Sequence, residues 1–317
     1  MTKLKLTVAC DDYDFLQPLR DGRVKVDGID LNLLTVESGI RHYRMNNYGE
    51  YDASEFSFGS YIVARSQGID WLQALPFFLR RMFCHRFLFI RAGSGIRKPS
   101  DLKGRRIGML GYQNSLGLIV KGMMMNTYGL PVMDATWVTV REERINSTVP
   151  ANIRIERAPE GRSLEELLLS GEIDCLAEPD LPKAWLAGEG TVERLFPDYE
   201  QEERDYYKKT SIFPLMHPLV VKKDILDRDP WVATSLFEAF MESRRLHNEF
   251  MQQPHRLSFA WPQVEQERAI FGKDPFYQGL RANRHDIDSM IQFAAQQGML
   301  AGPVTADELF PVNMRLT

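Results

Sequence analysis

The chain opens on Leu4-Lys5-Leu6-Thr7-Val8-Ala9, where apolar and polar positions alternate with period two before Asp11-Asp12 breaks the run. That pattern predicts a half-buried first strand over 4–10 feeding a polar loop. Val26-Asp27-Gly28 reads as a turn into a second alternating strand over 29–36. A helix is expected over 40–47, a short strand over 51–56, and a helix over 58–67 ended by Gly68. Segments 71–78 and 83–91 are rich in β-formers. A second unit of the same kind follows Pro99-Ser100-Asp101-Leu102-Lys103-Gly104, with a strand over 106–110, a polar loop Gly111-Tyr112-Gln113-Asn114-Ser115, and a helix over 116–128 stopped by Gly129. Strands over 136–140 and 173–177 flank a helix over 164–169, with Asp174 inside the later strand. Segment 210–221 returns to strand character, and helical spacing governs 232–250, 263–271 and 285–297.

Short strands alternating with helices predict an α/β protein with mostly parallel sheets covered on both faces. The order is one α/β unit, a second unit, a return segment and a helical C-terminal tail. This is the layout of a two-lobed, type II periplasmic-binding-protein-like fold with two crossover strands, expected near 89–92 and 210–217. The lobes are read as 1–92 for the first part of lobe I, 93–209 for lobe II, and 210–317 for the return to lobe I. In such a fold a ligand lies between the lobes, at strand C-termini and helix N-termini.

Composition narrows the field. Across 317 residues, 39 Lys+Arg face 43 Asp+Glu, a net charge of −4, which argues against a nucleic-acid-binding surface. No apolar run approaches the ~18 residues that span a bilayer. Thr7-Val8-Ala9-Cys10 faintly resembles a lipoprotein cleavage site, but only the five residues 6–10 separate Lys5 from Asp11, short of the roughly 7–15 a signal peptide needs. With Cys10, Cys84 and Cys175 too scattered for disulfides or a CxxC metal site, the expectation is a cytoplasmic protein with reduced, buried thiols. No GxGxxG after a strand, GxxxxGK[ST], HExxH or GxSxG occurs, which disfavours a nucleotide-binding enzyme, a zincin and a serine hydrolase.

Four loops should meet at the cleft. Asp12 follows the first strand, where a helix N-cap is the plainer reading. Glu55 lies in Ser54-Glu55-Phe56-Ser57, where it would orient a ligand hydroxyl or a base while Ser57 caps a helix. In Phe77-Phe78-Leu79-Arg80-Arg81-Met82-Phe83-Cys84-His85-Arg86, cations among apolar residues are suited to grip a carboxylate; the plainer reading is an edge strand with solvated arginines. His217, between Met216 and Pro218, is either a core histidine or, paired with His85, an acid–base element. From the second lobe, Gln113, Asn114 and Ser115 would form an anion site at a helix N-terminus, or simply its cap. Met123-Met124-Met125 reads as core filling and 202–207 as a solvated helix face.

An ordered set of short motifs resembles the 4,5-dihydroxyphthalate decarboxylase family. It runs from Pro18-Leu19-Arg20-Asp21-Gly22-Arg23-Val24 and Asp27-Gly28-Ile29 through Ser54–Ser57, Arg81-Met82-Phe83-Cys84-His85 and Pro99–Gly104. It continues through Gly171-Glu172-Ile173-Asp174, Arg194-Leu195-Phe196-Pro197-Asp198 and Phe213-Pro214-Leu215-Met216-His217, to Gly272-Lys273-Asp274-Pro275 and Gly279-Leu280-Arg281-Ala282-Asn283-Arg284. The chain departs from the family pattern at Cys84, Ser115-Leu116 and Val120-Lys121-Gly122.

The resemblance implies a non-oxidative decarboxylase acting on a hydroxylated aromatic diacid, with no organic cofactor. On that reading His85, His217, Glu55 and Asp12 carry the acid–base chemistry, and Arg80, Arg81, Gln113, Asn114 and Ser115 bind substrate carboxylates. His85, His217 and Glu55 would also make an acceptable N,N,O set for a divalent metal. The partner is a small aromatic carboxylate rather than nucleic acid or membrane, and a homo-oligomer is left open. The alternative is a non-catalytic solute-binding protein of ABC-transporter type, which needs the cations but no acid–base pair.

Overall fold

The computed structural model describes residues 2–143, 145–146, 149–251, 261–272 and 274–317. Lys273, within one of the family-like motifs, lies outside them. The strands are β1 (Leu4–Cys10), β2 (Ile29–Thr35), β3 (Ala53–Glu55), β4 (Leu72–Arg81), β5 (Leu88–Arg91), β6 (Arg106–Met109), β7 (Thr136–Thr139), β8 (Arg154–Arg157), β9 (Cys175–Ala177), β10 (Val192–Arg194) and β11 (Leu215–Lys222). The helices are α1 (Gln17–Arg20), α2 (Ser38–Tyr48), α3 (Phe58–Ser66), α4 (Ser115–Tyr128), α5 (Leu164–Ser170), α6 (Lys183–Leu186), α7 (Tyr199–Thr210), α8 (Lys223–Arg228), α9 (Trp231–Met251), α10 (Trp261–Phe271) and α11 (Arg284–Gln296).

The strands form two sheets, ordered β2-β1-β3-β11-β4 and β10-β5-β9-β6-β7-β8. Both are mixed rather than wholly parallel: β11 runs antiparallel to β3 and β4, and β5 antiparallel to β9 and β10. These antiparallel strands are the ones that carry the chain between sheets. It leaves the first sheet after Arg81 and enters the second at Leu88, so 89–91, expected within the crossover, is already paired there. It returns after β10 through α7 into β11.

Period-two alternation builds the first sheet's two cores. Leu6, Val8 and Cys10 enter one cluster with Phe77, Leu236 and Phe240, and Ala9 enters the other. Helices α1 and α9 cover the first face, while α3, α4 and α11 pack together on the other. Met123 and Met124 fill this second core as expected, and all three cysteines are buried and unbridged.

Three local readings need correction. Strand β4 runs unbroken through Arg80 and Arg81, because both residues still pair with β11. The stretch 202–207 is not a solvated face: Glu203 and Tyr206 of α7 are buried, Glu203 holding Arg86 at 2.7 Å. The strand expected from residue 173 begins at Cys175; ahead of it the Asp174 N–H donates to the Arg106 carbonyl at 2.8 Å and its carboxylate accepts from the Arg106 N–H at 3.0 Å. Among the described residues no helix is long and apolar enough to cross a membrane.

Candidate active site

Strand direction gathers the site. β1 and β3 run parallel and β11 runs against β3 and β4, so Cys10, Glu55 and Arg80–Arg81 end where Leu215–His217 begins. Pro218 has no N–H for the ladder, and the β4–β11 register slips on both sides of it. Such a bulge re-aims side chains next to it; here the neighbour is His217, opposite Arg80.

Glu55 is wholly buried. Its Oε1 accepts from the Tyr13 hydroxyl at 2.8 Å and lies 2.6 Å from His217 Nδ1; its Oε2 accepts from the Asp11 N–H at 3.0 Å and lies 2.9 Å from the Arg41 guanidinium. Burial alone would raise this carboxyl, but the hydrogen bond and charge of His217, the Arg41 charge and the Tyr13 hydroxyl outweigh it and bring the group down to about 2. For His217, burial is the largest influence and lowers the imidazole below its ordinary value, against the pull of Glu55. A fixed carboxylate on Nδ1 sets the ring's orientation and leaves Nε2 for chemistry.

The His42 ring stands edge-on to His217 with centroids 4.8 Å apart. It comes from α2, whose burial is inverted: Arg41 and His42 are buried while Ile40 and Tyr43 are exposed. Both histidines line a cleft between the sheets of about 690 Å3, counted to its open mouth, together with Arg80, Ser57, Ser60 and Arg141. Leu110, Gly111, Arg141 and Pro179, at the ends of β6, β7 and β9, form the opposite wall. The Arg80 side chain makes no hydrogen bond or ion pair to another described residue.

The other expected residues divide. Asp12 is exposed, 3.8 Å from Arg20; its neighbour Asp11 instead supplies a backbone donor to Glu55. Arg81 is buried and spent on structure, pairing with Asp286 at 2.6 Å and donating to Asn283 and the Phe213 carbonyl at 2.8 Å each. His85 does not join His217. Its Nε2 lies 2.9 Å from the Tyr128 hydroxyl, and its ring packs on Phe196 and Tyr206. Burial, reinforced by Arg86, pushes it down to about 3, so it is neutral. His85, His217 and Glu55 are therefore not assembled as an N,N,O set, and no group of three His, Cys, Asp or Glu with metal-holding geometry occurs among the described residues.

Of the second-lobe trio, Gln113 donates to the Ile145 carbonyl at 2.6 Å, and Asn114 caps α4 by accepting from the Gly117 N–H at 2.7 Å. Ser115 ties the lobes, donating to the Met216 carbonyl at 2.7 Å and accepting from the Gly59 N–H at 3.2 Å. The approach is close enough that a Cβ on Gly59 would lie 2.4 Å from the Gln113 carbonyl oxygen. Asn114 and Ser115 line the cleft, but their polar atoms are largely engaged by the protein.

Arg41, His42, Tyr13 and Arg141 were not picked out by the sequence reading. The one available signal is α2 itself, where apolar spacing would place Ile40 and Tyr43 inward and Arg41 and His42 outward; the observed helix does the reverse.

Two mixed sheets joined by two crossovers, with buried polar groups meeting at the strand ends between them, define a protein of the type II periplasmic-binding fold. Solved structures agree on this class. A putative periplasmic sulfonate-binding protein from Methylobacillus flagellatus superposes with a TM-score of 0.56 at 13% identity, covering 99% of this chain and 94% of that one. The ligand-binding component of an ABC-type import system from Staphylococcus aureus gives 0.55 at 10%, covering 99% and 98%. The NMT1/THI5-like family model matches residues 22–181. A 4,5-dihydroxyphthalate decarboxylase of Comamonas testosteroni is 31% identical across 98% of this chain and 97% of the relative. One from Pseudomonas putida is 34% identical across 67% and 84%. The chain belongs to the 4,5-dihydroxyphthalate decarboxylase family.

Proposed function

We propose that this protein removes CO2 from a dihydroxylated aromatic diacid of the 4,5-dihydroxyphthalate kind, in the cleft between the lobes. The observation that carries the reading is the buried Glu55–His217 pair opening onto a cleft that also holds the unpaired Arg80.

Direct loss of CO2 from an arene would leave an aryl carbanion, which a protein interior does not stabilise. Protonating the ring carbon first avoids it. One imidazole of the His42–His217 pair takes the proton of the hydroxyl para to the departing carboxylate, and the oxygen's electrons move into the ring. The other imidazole donates a proton to the carboxylate-bearing carbon. The C–C bond then breaks, its pair restores the aromatic ring, CO2 leaves, and the first imidazole returns its proton to the ring oxygen while the second is reprotonated from water. The net change is one proton in and one CO2 out. Glu55 holds His217 in the tautomer whose Nε2 faces the cleft. Arg80 binds the carboxylate that stays, and Arg141 at the mouth favours a dianion.

Mixing the protein with 4,5-dihydroxyphthalate and following CO2 release and ultraviolet absorbance tests the proposal. Turnover to the monoacid is the expected result. Saturable binding without CO2 release would favour the non-catalytic carboxylate binder.

A further inference from the structure

On the other side of Arg80 lies a second hollow, about 1150 Å3 counted in the same way as the cleft, between the end of β4, the C-terminal half of α9 and α10. Arg244 of α9 forms part of its wall and is only 5% exposed. Its guanidinium is sandwiched between the rings of Phe15 and Phe276, at 4.5 and 4.4 Å from their centroids. Its Nε and one terminal nitrogen are buried without a hydrogen-bond partner. Among the described residues no carboxylate lies within ion-pair distance of it, and residues 252–260 and 273 contain no acid. Of the two acids in the wall, Glu267 and Asp274, the latter is already engaged, accepting from Asn248 Nδ2 at 3.0 Å and the Phe276 N–H at 2.8 Å. Burial brings the guanidinium down to about 10, so it stays charged at neutral pH.

A buried, charged fork with free N–H groups is strongly disfavoured unless an anion completes it. The two aromatic faces contact the flat sides of the guanidinium and leave its edge, where the donors point, unsatisfied. The hollow is walled by Tyr13, Phe15, Leu79 and Phe276 together with the charged Arg80, Arg268 and Glu267, and Tyr13 is stacked on Phe15 at 5.1 Å. We propose that this hollow is a second ligand site, which takes the carboxylate of a planar aromatic acid on Arg244 and its ring against Tyr13 and Phe276. Tyr13 also donates to Glu55, and Arg80 lines both hollows, so the site adjoins the cleft without sharing its histidines.

Benzoate is the probe, titrated calorimetrically into the wild-type chain and into Arg244→Met, with the fold of each checked by circular dichroism. The expected result is a benzoate-binding event in the wild type that is lost in Arg244→Met. Identical isotherms, or no benzoate binding to the wild type, overturn the proposal. Should Arg244→Met not fold, Arg244→Lys keeps the charge but not the fork and must weaken the same event at least ~10-fold; an unchanged isotherm again overturns it. The measurement reads binding and not CO2 release, so it can fail while the decarboxylase reading stands, and the reverse.

Discussion

His217 Nδ1 lies 2.6 Å from Glu55 Oε1, on two strands that run antiparallel with Leu219 opposite Glu55. The pair is buried, and His217, more than the neighbouring Arg41, holds the carboxyl low against the pull of burial. This arrangement makes His217 the imidazole whose loss should matter most.

Replacing His217 by Ala should lower turnover of 4,5-dihydroxyphthalate at least ~100-fold, with the fold intact by circular dichroism. His85→Gln should lower it far less, because that ring packs on Tyr128, Phe196 and Tyr206 rather than facing the cleft. Equal losses in the two variants would remove His217 from its assigned role.

Glu55→Gln leaves the buried Arg41 without its counter-charge. Breaking a buried pair in this way costs roughly 3–5 kcal/mol, which chemical denaturation would read. Arg41→Met combined with Glu55→Gln should be more stable than Glu55→Gln alone. A double variant no more stable than the single would contradict the pairing.

Arg80 and Arg81 are adjacent but should behave oppositely. Arg80→Met removes a cleft cation and should reduce kcat/KM by about 10–100-fold, the worth of a charged hydrogen bond, with little change in melting temperature. Arg81→Met strips Asp286 of its partner and should destabilise the fold by roughly 3–5 kcal/mol. A large loss of stability in the Arg80 variant, or none in the Arg81 variant, would reverse these assignments.

His85 gives the acid side of the stability curve a distinct slope. Its folded value is about 3 against 6.5 ordinarily, so between those limits the unfolded chain binds a proton that the native chain does not. Stability is then full above pH 6.5 and falls as the pH drops towards 3, by an amount on the order of 5 kcal/mol. His85→Gln should flatten this window in denaturation curves taken at several pH values. The Glu55 contribution is separable, since it is lost lower, as pH falls from 4.5 towards 2.

Local pattern made much of this legible. The alternation of residues 4–10 placed β1 and its two-faced core, and Gly129 ended α4 where a helix stop was expected. Glu55 and His217 stood out because each is a polar residue at or near a strand end beside apolar neighbours, Phe56 for Glu55 and Met216 for His217. Local pattern failed where partners are distant. Whether His85 meets His217 or Tyr128, and whether Glu203 faces water or Arg86, depends on how α4 and α7 pack, which no window of neighbouring residues encodes.

The sequence by itself determined the two α/β units, their order and the kinds of chemistry at their strand ends, because backbone periodicity and turn residues act over a few positions. Only the tertiary structure decided which cation serves the cleft. Successive side chains of a strand point in different directions; Arg81 met Asp286, some two hundred residues away, while Arg80 lines the cleft and pairs with no carboxylate among the described residues. Partner choice of this kind follows distance through space, and folding alone brings those groups within reach.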